Sequence, residues 1–102
     1  MIAKDPLDCT TMAEVRAGVD DVDARIVALI ARRFAYMDAA ARIKPDRSAV
    51  RDEVRKAQVL ARIGEQADAA GIDRDALVRM WDDLIEASIA YECNAFDRIK
   101  GG

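Results

Sequence analysis

Arg33 and Lys44 stand on what should be the driest face of the longest helix this sequence encodes. Between Thr11 and Lys44 there is no proline, Gly18 is the one glycine, and Val15, Val22, Ile26, Leu29, Met37 and Ala40 recur at helical spacing. At 100° per residue these six fall within about 40° of the direction of Arg33, and Lys44 falls about 20° from it. A cation on an apolar face is costly unless an anion meets it there. Near the other end of the chain, Ser88 and Glu92 share a face with Trp81, Ile85, Phe96 and Ile99. Arg51, Asp52 and Arg55 cluster between the two stretches.

Each of these residues has an ordinary explanation when taken alone. A lone arginine on an apolar stripe snorkels or forms half of a salt bridge. Asp52 and Arg55 make a common i,i+3 pair worth a few tenths of a kcal/mol. Glu92 could neutralise Arg33 or Lys44. Together, seven such residues exceed what a chain of 102 residues would bury for stability, because buried ion pairs rarely add any. A site for a small polyanion accounts for them better. Arg16 precedes Arg33 by 17 positions, about 25 Å along a helix axis and roughly 100° around it, so one helix cannot bring both to one small ligand. If Arg16 contributes, it comes from a second chain.

The elements that must position these groups are helical. Thr11 with Glu14 forms a capping box for the first helix, and Pro45 ends it. Ser48 or Asp46 is the expected cap of a second helix, roughly 50–69, with Val54, Ala57, Ala61 and the Ile63/Gly64 region inward. Gly71 stops that helix, and Asp73 caps a third, roughly 74–99. Residues 1–9 read as a short arm. The first helix would span roughly 51 Å, against a diameter of roughly 35 Å for a compact chain of this size. Its apolar stripe therefore needs cover from outside the chain, most simply from a second copy in a C2 dimer.

Composition excludes several classes. Apolar and polar residues never alternate over a strand's length, so the fold class is all-α. A formal charge of −3, with both signs interspersed, leaves no basic stripe for nucleic acid. No segment approaches the 18 or more apolar residues of a membrane span, and Met1 to Asp8 holds no apolar run suited to a signal peptide. A cytoplasmic protein is the expectation. With no histidine, and with Cys9 and Cys93 far apart, neither a zinc site nor a Cys/His nucleophile is expected, and the thiols read as reduced and structural.

The ordered series Arg16, Arg33, Lys44, then Val50-Arg51-Asp52-x-x-Arg55, then Leu84-Ile85-x-x-Ser88-x-x-x-Glu92 resembles the AroQ-type chorismate mutases over the whole length. Asp8-Cys9-Thr10 and the Arg32-Arg33-Phe34-x-Tyr36 turn look especially like the branch that includes isochorismate pyruvate lyase of salicylate and siderophore biosynthesis. The resemblance implies one helical domain over residues 1–102, with three helices per chain intertwined as a homodimer. Each of two active sites would borrow one arginine from the partner chain. It further implies that Arg33 and the other chain's Arg16 clamp the two carboxylates of chorismate, a task suited to bidentate guanidinium pairing. Lys44 would hydrogen-bond the ether oxygen that gains charge as the C–O bond breaks, and Glu92 would sit opposite it. Asp52 and Arg55 would order the ring hydroxyl and the loop, and Ser88 would touch a carboxylate.

The sequence departs from the mutase pattern at Lys56, where those enzymes commonly carry a glutamate that binds the ring hydroxyl. In the lyase branch the Asp52 position tends to lack Asp and the Glu92 position holds Gln, so Asp52 and Glu92 favour the mutase. The implied reaction is the Claisen rearrangement of chorismate to prephenate, in the shikimate pathway toward aromatic amino acids, with no nucleophile, metal or cofactor. Two other readings stay open. One is isochorismate pyruvate lyase, which uses the same cations; the other is a non-catalytic helical dimerisation module in which the buried charges merely pair.

Overall fold

The computed structural model describes residues 3–101, so residues 1 and 2 of the expected arm, and residue 102, lie outside the described residues. Its elements in order are a 3-10 turn at Pro6–Asp8, helix α1 (Met12–Ile43), a second 3-10 turn at Arg47–Ala49, helix α2 (Glu53–Ala70), helix α3 (Arg74–Phe96) and a wider π-helical segment at Asp97–Gly101. No strand occurs among the described residues. No helix there is long and apolar enough to cross a membrane. The three-helix, all-α expectation holds.

Short-range chemistry sets the helix ends. At the start of α1 the Thr11 hydroxyl accepts from the Glu14 N–H at 3.2 Å, and the Glu14 carboxylate accepts from the Thr11 N–H at 3.2 Å, the reciprocal pattern of a capping box. Lys4 and the Thr10 N–H also hold Glu14, so its carboxyl lies at about 2, well below the usual range. The Lys44 N–H makes the last bond of α1, to the Ala40 carbonyl at 2.9 Å, before Pro45 interrupts the ladder.

One capping expectation is corrected. Asp46 accepts from the Ser48 N–H at 3.0 Å and so caps the short Arg47–Ala49 turn, whereas α2 starts later, with Asp52 accepting from the Arg55 N–H at 2.9 Å. The later start leaves Val54 71% exposed, and Ala57 and Ala61 are exposed as well, so they do not form the inner side of α2. Ile63, Gly64 and Ala67 do. At Gly64 the absence of a side chain matters, because a Cβ there would lie 2.6 Å from the guanidinium carbon of Arg74, which folds over it toward Asp68.

Helix α2 ends at Gly71, whose φ of 72° is open to glycine at little cost. The Ile72 N–H reaches the Ala67 carbonyl at 2.9 Å and the Gly71 N–H reaches Asp68 at 3.2 Å, a Schellman closure. Asp73 then caps α3 through the Ala76 N–H at 3.3 Å. The expected third helix ran to Ile99; regular α-geometry stops at Phe96, and Ile99 is exposed.

Contacts divide the chain between Ala35 and Tyr36. The N-terminal unit holds the arm and the first turns of α1, along which Val15, Val19, Val22, Ile26 and Leu29 are all exposed, Leu29 to 67%. In the C-terminal unit the last turns of α1 join the α2–α3 hairpin. Its buried set is Ala41, Val50, Ile63, Ala67, Ile85 and Ala95, together with the polar Ser88 and Glu92. The Tyr91 hydroxyl donates to Asp38 at 2.9 Å, tying α3 to α1, and the Asp38 carboxylate raises the phenol above its ordinary value.

Candidate active site

Lys44 and Glu92 meet. The Lys44 ammonium nitrogen lies 2.6 Å from the Glu92 Oε2, with the lysine side chain 29% exposed and the glutamate side chain 5%. Helix α3 carries Glu92 into the interior one turn after Ser88 and two turns after Ile85, all three buried. Lys44, one of the two partners open to Glu92 from sequence alone, is paired with it.

Ser88 donates its hydroxyl hydrogen to the Leu84 carbonyl of its own helix at 2.7 Å. Asp52 and Arg55 are both exposed at the start of α2, and the Asp52 carboxylate serves as the helix cap. Arg51, grouped with these by sequence, points its guanidinium at Glu86 (2.7 and 3.1 Å) and Glu53 (2.8 Å). Thus Lys44, Ser88 and Glu92 are drawn into the C-terminal unit, while Arg51, Asp52 and Arg55 stay at its surface. In the N-terminal unit, Arg16 is exposed and Arg33 half-buried.

Lys56, the departure from the resembled pattern, is held from α3 by Asp82 and Glu86, each at 2.8 Å. Those two carboxylates raise its ammonium above the ordinary lysine value. In turn Arg51, then Lys56, lowers the Glu86 carboxyl to about 2. Sequence reasoning assigned no role to Asp82, Glu86, Arg47, Asp97 or Lys100, all of which make long-range polar contacts here. The i,i+4 spacing of Asp82 and Glu86 on one side of α3 was the available signal for the first two.

The pair at the centre can supply hydrogen bonds to an oxygen that gains charge. An ammonium has three N–H donors, so Lys44 can keep Glu92 and still donate to a ligand. Cys9 and Cys93 are half-buried free thiols.

The chain belongs to the chorismate mutase type II family, whose sequence profile matches residues 15–93. Among individual proteins it is similar to the isochorismate pyruvate lyase of Pseudomonas aeruginosa, at 30% identity over 98 residues, 96% of this chain and 97% of that protein. The family read from Arg33, Lys44, Ser88 and Glu92 is therefore the right one.

Proposed function

We propose that the chain is a chorismate mutase, rearranging chorismate to prephenate at a site shared between two chains. The observation that carries this reading is the buried Lys44–Glu92 pair, 2.6 Å apart on two different helices. Such a pair adds little to stability, and in this reading its ammonium serves the breaking ether bond as a donor. In the rearrangement one C–O bond breaks as one C–C bond forms, and negative charge gathers on the ether oxygen. Lys44 donates to that oxygen. Glu92 anchors the ammonium. Holding the enolpyruvyl group over the ring supplies proximity, and each preset donor contributes on the order of 3 kcal/mol. Arg33 and Arg16 of a second chain would clamp the carboxylates, Ser88 would touch one of them, and Asp52 with Arg55 would order the ring hydroxyl and the loop.

The exposed stripe Val15, Val19, Val22, Ile26 and Leu29 supports the shared site. Part of that stripe, Val15, Val19 and Val22, lines a half-open groove of about 440 Å³ together with Cys9 of the arm. A second copy of α1 is the occupant proposed for it.

The similarity to an isochorismate pyruvate lyase over 98 residues favours a second reading, elimination of pyruvate from isochorismate at the same site. Incubating the purified protein separately with chorismate and with isochorismate, and identifying products, separates the two. Prephenate from chorismate supports the mutase. Pyruvate from isochorismate, with chorismate unchanged, transfers the assignment to the lyase, and inertness toward both acids leaves a dimerisation module.

A further inference from the structure

The stretch that joins α1 to α2 begins with Lys44 itself, and the segment after α3 grips that stretch at two points. Asp97 receives a forked pair of hydrogen bonds from Arg47, Nε to Oδ1 at 2.8 Å and Nη2 to Oδ2 at 3.3 Å. Lys100 donates to the backbone carbonyl of Lys44 and lies 5.0 Å over the Phe96 ring. That carbonyl is one of the orphan acceptors a helix leaves at its end, and with Pro45 next in the chain the ladder cannot continue. A third tie, Arg98 to Asp38 at 3.7 Å, fixes the same segment to the last turns of α1. The C-terminal end of α3 thus holds the side chain of Lys44 through Glu92, its main chain through Lys100, and the residues just beyond it through Asp97.

We propose that Arg47 and Asp97 are positioning residues for Lys44, locking the α1–α2 connection in the conformation that presents the ammonium. This inference rests on the reading of Lys44 as the donor to the breaking bond. The Arg47–Asp97 pair is half exposed on both sides, so it contributes little to global stability. A short connection has far less stability to lose than the whole fold, and there one exposed pair shifts the balance between held and released states. When the binding-competent state is only partly populated, the apparent affinity falls by that fraction while the bound complex still turns over normally. The signature of a positioning role is therefore a raised KM with a preserved kcat. A loss of folded protein would instead lower kcat and leave KM alone.

The test is Asp97→Asn, which keeps size and removes the charge, alongside the exchanged pair Arg47→Asp with Asp97→Arg. Steady-state kinetics are measured on whichever of the two acids the wild type consumes. Amide hydrogen exchange is followed at Ala49 and Val50, whose N–H groups close the connecting turn onto Asp46 and Arg47. Asp97→Asn should speed exchange at Ala49 and Val50 about three- to fivefold and should raise KM by at most the same factor, with kcat within about twofold. The exchanged pair should recover at least half of both effects. Unchanged exchange in Asp97→Asn overturns the lock whatever the activity, as does a fall in kcat at constant KM. If the wild type consumes neither acid, the functional reading fails on its own, while the exchange data still decide whether the pair holds the connection.

Discussion

Removing the Lys44 ammonium while keeping its apolar stem, as Lys44→Met does, strands a carboxylate that is 5% exposed. Breaking a fully buried pair from one side costs about 3–5 kcal/mol. Here the lysine side chain is 29% exposed, so water can reach the vacated space, and the expected cost is at the bottom of that range or just below it, about 2–3 kcal/mol. Glu92→Gln is milder, because the amide oxygen still accepts from Lys44 and the ammonium is partly solvated; about 1 kcal/mol is expected. In the double variant no charge is stranded, so its destabilisation should fall short of the sum by about 1–2 kcal/mol. Urea unfolding followed by far-UV circular dichroism measures all four proteins. They are compared at one fixed protein concentration, since chain association would enter the equilibrium. With a slope of about 1–3 kcal/mol/M, Lys44→Met should move the midpoint by about 0.7–3 M at unchanged slope. Its kcat should also fall at least about 100-fold, the loss of one preset donor. Additive single effects, or a Lys44→Met midpoint within about 0.2 M of wild type, would refute the claim that this pair is buried and coupled.

Mixing Arg16→Ala and Arg33→Ala chains, each inactive alone, should restore part of the wild-type turnover, because one site of a mixed dimer keeps both arginines; no recovery counts against the shared site. The Glu86 carboxyl lies at about 2, below its ordinary 4.5, so its contribution to stability is complete above about 4.5 and disappears as pH falls toward 2. Thermal melts between pH 5 and pH 2 should show a shallower acid decline in Glu86→Gln than in wild type, and parallel curves would mean that the Arg51–Glu86–Lys56 contacts do not persist in solution.

What could be read from sequence divides by range. The capping box of Thr11 and Glu14, the stop at Pro45, the Gly71 closure and the Asp73 cap all arise from bonds spanning three to five residues, and all are where the residue types put them. The choice between Asp46 and Asp52 as the α2 cap was not legible, because both are good caps and Asp46 is captured first by its own short turn. Val54 misled for a related reason: a helix face is defined only once its start is known. In the site, the apolar neighbours of Glu92 marked it as buried, but its pairing with Lys44 spans 48 positions and depends on how α3 packs against the end of α1. The same distance hid Arg47 with Asp97, two ordinary surface charges until the fold sets them side by side.

The buried positions of the chain also bear on how its sequence can vary. Ala41, Ala67 and Ala95 are sealed completely, and among the described residues no large side chain is. Truncation has nothing to remove at those three sites, so an alanine scan would pass over them in silence. Their constraint has the opposite sign: each added methylene must be housed by moving a helix, at about 1–3 kcal/mol. Substitutions that enlarge, Ala to Val or Leu, are the ones that purifying selection should remove here, and a library of enlarged rather than shortened side chains is what would map the interior.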